Sequence, residues 1–214
     1  MTQDTLFQQL KDSNPSLRDR AMWEIAETRD ENTIPRLMEI VSEEDVVPRR
    51  AAVKTLGVIG VDTVPSLVDS LLNSDNPTTR SSCAKALAQI SARHSDVPFP
   101  EEGIQGLKIS INDPHPVVNI SSVMALGEIG APAFDILVEV INTTDNVAIA
   151  VASTNAIVSV GDERVKEVLT KVANDESVDP YVRETASSGL SRLEMLIKNQ
   201  PKEVTKKWQT FNEQ

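Results

Sequence analysis

Small and aliphatic residues recur at two fixed positions along the chain, and this pattern predicts a repeated helical unit. The repeat is clearest when Arg49–Gly60 is aligned with Asn119–Gly130, because both segments end in Leu-Gly-x-Ile-Gly. A small residue follows the start of each copy by three positions and an aliphatic residue by seven, which is helical spacing. The six copies begin at positions that we call anchors, spaced by 31, 31, 39, 31 and 33 residues: Arg18, Arg49, Arg80, Asn119, Ala150 and Arg183.

Each unit is predicted to contain two helices, with the second beginning near the anchor. Gly60, Gly130 and Gly161 are predicted to end second helices in the left-handed C-cap conformation. Helix pairs of about 30 residues cannot bury their apolar faces alone, so the repeat predicts an all-α solenoid of about six stacked pairs. We place this single domain at residues 1–198, and a basic C-terminal tail or capping segment at residues 199–214.

Composition narrows the class of protein. The 214 residues are 40% hydrophobic but only 3% aromatic, so the core is expected to consist of Ala, Val, Leu and Ile. A formal net charge of −11 argues against nucleic acid as a partner, because neutralising phosphates requires a basic surface. No apolar stretch is long enough to cross a membrane, and the single cysteine, Cys83, excludes an intramolecular disulfide. We therefore expect a cytoplasmic protein with no membrane insertion.

Residues with catalytic chemistry occur without the partners they would need. Cys83 stands at the small-residue position of its unit, so we expect a buried thiol and not a pigment acceptor or redox site. Ser82 and Lys85 match a Ser-x-x-Lys pattern, and His94–Asp96 contains three catalytic residue types, but neither is accompanied by partner motifs. The two histidines lack metal-ligand spacing, and we predict no metal site.

The repeat sequence itself resembles a known family. The Arg-x-x-Ala-x-x-x-Leu-Gly-x-Ile-Gly sequence at Arg49–Gly60, the short unit and the Asp-Pro turns resemble the HEAT-like repeats of phycobilisome bilin lyases, over residues 4–197. Relatives include the heterodimeric lyases of the E/F type and a chaperone-like Z-type member of phycoerythrin biogenesis. Three stretches are most similar to the Z-type: Ala26–Glu31, Asp45–Arg50 and Asn73–Asp75.

The resemblance implies both a shape and a role. It implies a right-handed superhelix whose second helices line a concave inner face, where partners are held. It implies work on linear tetrapyrroles (bilins), with a phycobiliprotein α or β subunit and a partner bilin lyase subunit as partners. A bilin would be bound transiently, and no permanent cofactor is implied. The absence of a catalytic constellation favours an accessory subunit or chaperone over a self-sufficient enzyme. The alternative is a scaffold for protein assembly that makes no contact with pigment.

The candidate binding residues lie one, five and nine positions after the anchors, on a helix stripe away from the core positions. They are basic in units two and three and apolar in units four and five, which suits an amphipathic anion or a protein helix. Glu27 and Glu128 are the candidate proton donors. Alternatively, neighbouring helices bury Ile120, Met124 and Val151. The full set of candidates is Trp23, Glu27, Arg50, Lys54, Lys85, Ile120, Met124, Glu128, Val151 and Asn155.

The arginine anchors form a ladder near turn aspartates. We expect Arg18, Arg49, Arg80 and Arg183 to satisfy helix ends and to link neighbouring units. The less favoured alternative is that they bind bilin propionates through paired hydrogen bonds.

Overall fold

The structure, a computed structural model, describes residues 1–199 and contains helices and turns but no strand in that part of the chain. The helices form six successive pairs, which confirms the predicted all-α repeat architecture. The bounds are α1 Gln3–Gln9, α2 Pro15–Glu27, α3 Thr33–Val41, α4 Val46–Ile59, α5 Val64–Asn73, α6 Pro77–Arg93, α7 Glu101–Ser110, α8 Pro116–Ile129, α9 Phe134–Thr143, α10 Val147–Ile157, α11 Val165–Asn174 and α12 Pro180–Asn199. Apart from Asn199, the predicted tail 199–214 lies outside the described residues. So do Trp208 and Phe211, a pair three residues apart that we expect to cap the last repeat.

The two helices of each pair belong to different layers. The even-numbered helices form an inner layer in which every helix packs on the next, from α2 to α12. The odd-numbered helices form an outer layer, where α5 and α7 pack closely but most other neighbours make little contact. Because the inner helices lie closer together than the outer ones, the array curves toward the inner layer. The exposed surface of the inner layer is therefore the concave face.

Every inner helix begins with a side chain that caps its N-terminus. The capping residue lies four positions before each anchor, and its side chain accepts a hydrogen bond from a backbone N–H two residues later. Such caps satisfy donors that would otherwise lack a partner at the start of a helix. The six capping residues are Asn14, Asp45, Asn76, His115, Asn146 and Asp179.

The anchors hold the turn that precedes each inner helix. Arg18 Nη1 donates to the carbonyls of Asp12 and Ser13 at 2.6 and 2.9 Å. Arg49 makes the same paired contact with the two equivalent carbonyls of its own unit. Arg80 bonds Ser74 O at 2.8 Å and also binds the Asp113 carboxylate of the next unit. Arg18, Arg49 and Arg80 thus satisfy carbonyls as expected, but of these three only Arg80 also links two units. The expectation fails at Arg183 Nε, which is buried without a hydrogen-bond partner among the described residues.

The two glycines of Leu-Gly-x-Ile-Gly serve different purposes. A Cβ at Gly57 would lie 2.6 Å from Gln89 Cβ, and one at Gly127 would lie 2.9 Å from Ala156 Cβ, so the first glycine allows inner helices to approach closely. Gly60 and Gly130 have φ of 92° and 83°, as a terminating glycine requires. Their ψ values of −147° and −141° lie in the mirror image of the β region, and the predicted left-handed helical cap is wrong for both.

The core is continuous along the whole array. All six residues three positions after the anchors are fully buried between the layers. The aliphatic residues seven positions after the anchors are buried as well, except for the half-buried Leu190. None of the helices in the described range is by itself long and apolar enough to cross a membrane. Val46–Ile59 and Val61–Asn73 reach that length only together, across a bend of 118°.

Candidate functional site on the concave face

All ten candidate residues lie on inner helices, and none of them is fully buried. Trp23 and Met124 are 51% and 62% exposed, whereas Ile120 and Val151 are half-buried. The alternative that neighbouring helices cover all three apolar candidates is therefore wrong for Met124 and only partly right for the other two. The remaining six are exposed: Glu27, Arg50, Lys54, Lys85, Glu128 and Asn155.

The basic candidates on the concave face have no acidic partner in the described part of the chain. Within residues 1–199, no carboxylate lies in ion-pair range of Arg50, Lys54 or Lys85. Several cations of the outer layer are paired, as in Lys108 with Glu139 at 2.8 Å. The concave face thus presents free positive charge at units two and three, although the chain as a whole is acidic.

A cleft of about 320 Å³ lies between α2 and α4 on the N-terminal half of this face. Its walls are largely apolar, and Arg50 and Lys54 line it together with a single carboxylate, that of Asp19. Trp23 directly follows a wall residue of the cleft, Met22, on α2. An aromatic side chain, unpaired cations and apolar walls are therefore grouped within the first two units.

The C-terminal half of the face is more apolar. Met124 of α8 is exposed, and Val147 and Val151 of α10 share a shallow groove with Tyr181 of α12, which is 71% exposed. Asn155 bridges this groove, because its Oδ1 accepts a hydrogen bond from Arg192 Nη2 at 2.6 Å. Asn155 is thus engaged between two units, whereas the basic candidates are free.

Sequence reasoning missed several exposed apolar residues of the same face. They lie two or three positions before the anchors, one helical turn ahead of the first residue of the predicted stripe. Extending the stripe by three or four residues toward the N-terminus of each inner helix would have found them, since positions three and four apart share a helix face. They are Val46, Val47, Val117, Val147 and Tyr181.

Side chains with catalytic chemistry have structural partners instead of reactive ones. Cys83 is fully buried, and burial raises the pKa of its thiol to about 12, so no thiolate nucleophile is available there. Ser82 Oγ donates to Thr78 O at 2.7 Å within its own helix. His94 Nε2 lies 3.1 Å from Gly57 O, and His115 caps α8. The described residues bring together no group of three metal-ligating side chains.

Comparison with known proteins places the chain among its relatives. A family model described as HEAT repeats matches residues 4–92 and 104–191. Over 196 residues the chain is 57% identical to the uncharacterized phycocyanin operon protein Z of Pseudanabaena tenuis (strain PCC 7409), which covers 92% of this chain and 97% of that protein. Over 175 residues it is 30% identical to the bilin biosynthesis protein CpeZ of Synechococcus sp. (strain WH8020), covering 79% and 94%.

A solved structure supports the fold independently. The X-ray structure of YibA from E. coli superposes with a TM-score of 0.54, over 93% of this chain and 75% of that one, at 16% identity. The chain belongs to the HEAT-repeat family and, within it, to the family that contains phycocyanin operon protein Z and CpeZ.

Proposed function

We propose that this protein is a phycobiliprotein biogenesis factor that acts in the cytoplasm as a chaperone or accessory subunit of a bilin lyase. Its concave face would hold a linear tetrapyrrole, a phycobiliprotein α or β subunit, or both, beside a partner lyase subunit. The similarity to a bilin biosynthesis protein and to a phycocyanin operon protein carries the proposal. The concave face supports it, because free cations stand beside exposed apolar side chains.

The chemistry that this face supports is positioning. When a thioether forms, the thiol of a client cysteine loses its proton and its sulfur bonds to one carbon of an activated carbon–carbon double bond of the bilin; the π bond breaks, and the pigment takes up a proton. The buried Cys83 is unsuited to serve as the sulfur donor or as a covalent carrier. Holding the two reactants in a productive orientation is itself a large contribution to the rate. Glu27 and Glu128 are the exposed carboxylates to which we assign proton donation.

Co-expression tests the proposed function. The chain is produced in bacteria with a bilin-making pathway and a phycobiliprotein subunit, with and without a partner lyase, and covalent pigment is measured by zinc-enhanced fluorescence. We expect a higher pigment yield when the chain is present. A variant with charges on the concave face, Met124→Glu/Val147→Glu, should lose this effect.

The matched control places the same charges elsewhere. Val97 lies in the segment between α6 and α7 and is 44% exposed, and Ile109 lies on the outer helix α7 and is 59% exposed. Val97→Glu/Ile109→Glu should therefore retain the full effect. An unchanged pigment yield with and without the chain would contradict the proposal. Together with no bilin absorbance on the purified chain, it would favour the scaffold alternative.

A further inference from the structure

The cleft between α2 and α4 combines features that the rest of the concave face has separately. Its walls include the side chains of Met22, Val46 and Val47, and its volume of about 320 Å³ falls at the lower end of the range for small-molecule sites. Val46 and Val47 are 41% and 38% exposed, so a ligand in the cleft can cover apolar surface and gain from its burial. The cleft is therefore suited to an apolar body.

The charges around the cleft favour an anion. Arg18, Arg50 and Lys54 line it, against the single carboxylate of Asp19. Arg18 is held by the carbonyls of the preceding turn, whereas Arg50 and Lys54 are exposed without an acidic partner in the described part of the chain. An arginine and a lysine one helical turn apart can each receive a carboxylate, with charge-assisted hydrogen bonds.

The dimensions favour a ligand that extends along the solenoid. Trp23, Lys54 and Lys85 occupy equivalent positions on α2, α4 and α6, five residues after their anchors. Packed helices lie about 8–10 Å apart, so this row covers roughly 16–20 Å. The indole of Trp23 at one end of this row, and the ammonium groups of Lys54 and Lys85 along it, complement a flat, elongated molecule that carries carboxylate side chains.

We propose that the α2–α4 cleft is the anchoring site for an elongated apolar dicarboxylate, and, on the basis of the proposed function, that this ligand is a linear tetrapyrrole. Arg50 and Lys54 bind its two propionates, Met22, Val46 and Val47 contact its rings, and Asp19 accepts hydrogen bonds from pyrrole N–H groups. Trp23 packs against the conjugated system. The more apolar C-terminal half of the concave face is left for the client protein.

Binding of biliverdin to the full-length chain tests the site, with Trp23 fluorescence as the readout. Trp208→Phe provides the background, so that Trp23 is the single indole. We expect biliverdin to quench Trp23 to saturation, and Arg50→Glu/Lys54→Glu to raise the Kd at least about tenfold, as expected for loss of charged hydrogen bonds. Biliverdin dimethyl ester, which lacks the carboxylates, should bind the parent chain about as weakly as biliverdin binds that variant.

Two further variants separate specific from general effects. Lys166→Glu/Lys171→Glu makes the same change in net charge on the outer helix α11, where both lysines are exposed, and should leave the Kd unchanged. Asp19→Ala should weaken biliverdin and its dimethyl ester by the same factor, because it removes an acceptor for the rings and not for the propionates. Circular dichroism of each variant verifies that the helices are intact.

The outcomes separate this proposal from the proposed function. Equal biliverdin affinity in the parent chain and in Arg50→Glu/Lys54→Glu, equal binding of the ester, or no binding at all would overturn the cleft assignment, even if the chain raises pigment yield in cells. Binding that maps to the cleft while pigment yield does not change would support the site and contradict the biogenesis role.

Discussion

The two helix layers of this solenoid are held together in different ways. Inner helices approach until a Cβ at Gly127 would meet Ala156, and the side chains between them are fully buried. Outer helices are mostly spread apart and are linked through partly exposed charged side chains. These links are the ion pairs Lys11–Glu43, Arg36–Asp4, Lys108–Glu139 and Arg164–Asp135, and the stacking of Arg36 on Phe7 and of Arg164 on Phe134.

This difference between the layers shows which parts of the protein stabilise the fold and which are available to bind a ligand. Apolar burial between the two layers supplies most of the stability, because exposed ion pairs contribute at most about 1 kcal/mol each. On the opposite surface of those same inner helices, Arg50, Lys54 and Lys85 are free of acidic partners within residues 1–199. The outer layer thus pairs many of its charges within the protein, whereas the inner layer leaves cations available to a ligand.

Truncating a core side chain of the inner layer should have the largest effect. Leu126→Ala removes a fully buried side chain and should lower the free energy of unfolding by about 3–4 kcal/mol, since the cavity adds to the lost transfer energy. Ile109→Ala removes an apolar side chain that is 59% exposed on the outer layer and should cost less than about 1 kcal/mol. Urea denaturation followed by circular dichroism measures both. Equal losses would contradict the dominant contribution of buried apolar side chains.

The ion pair between units three and four is the exception among the charges. Arg80 Nε lies 2.7 Å from Asp113 Oδ2, Nη2 lies 2.9 Å from Oδ1, and only 12% and 10% of the two side chains is exposed. Arg80→Ala leaves the Asp113 carboxylate without this partner and should lower the free energy of unfolding by about 2 kcal/mol. A loss as small as that of an exposed pair would show that the contact between the units does not depend on this bridge.

The same pair should make stability depend on pH. Burial raises the pKa of Asp113, but hydrogen bonds from Arg80 and from the His115 backbone N–H outweigh it and hold the pKa below its usual value. A carboxyl whose pKa is lowered by folding stabilises the folded protein at pH values above its unfolded-state pKa, which is about 4. This stabilisation is lost as the pH falls through the folded-state pKa. Between pH 5 and about pH 3, the parent chain should therefore lose more stability than Asp113→Asn. Parallel curves would exclude Asp113 as the source.

Adding one methyl group between inner helices should be the next largest change. Alanine is favoured over glycine in a free helix by about 1 kcal/mol, but a Cβ at Gly127 would lie 2.9 Å from Ala156 Cβ and 3.2 Å from its carbonyl oxygen. Gly127→Ala should therefore destabilise the protein, by about 1–2 kcal/mol. The double variant with Ala156→Gly should recover part of the lost stability, so that its free energy of unfolding is higher than the sum of the two single changes predicts. A more stable Gly127→Ala variant would mean that the inner helices separate freely.

Breaking an outer-layer ion pair should have the smallest effect. The Lys108 and Glu139 side chains are 42% and 56% exposed, and solvent screens their interaction. Lys108→Ala should change the free energy of unfolding by no more than about 0.5 kcal/mol, and the double variant with Glu139→Ala should be additive within the same range. A coupling energy near that of Arg80 and Asp113 would show that the outer layer is held electrostatically as well.

Several features of the fold could be predicted from the sequence because their causes are local. The six anchors, the small residues after them and the aliphatic residues beyond recur at helical spacing, and a helix face is defined by spacing alone. Burial of Cys83 followed from its place in that register. The termination of α4 and α8 at glycines was also predictable, although the conformation of Gly60 and Gly130 was not, since φ and ψ depend on the helix that follows.

The candidate site was predictable only in outline. The stripe led correctly to inner-helix positions, but it did not extend to Val47, Val117 or Tyr181, because it began one turn too late. The partners of Asn155 and Arg80 lie 37 and 33 residues away, and no sequence pattern identified either pair. Whether these candidates bind pigment stays a prediction.

The sequence by itself determined the repeat, the two helices of each unit and the residues that face the core, because these depend on interactions within one or two helical turns. The tertiary structure decided how neighbouring helices fit together, and therefore that a cleft opens on the surface between α2 and α4 and that α8 and α10 meet at Gly127. It also decided which charges find partners. Both properties depend on distances between helices about 30 residues apart in the chain, which a local pattern does not specify.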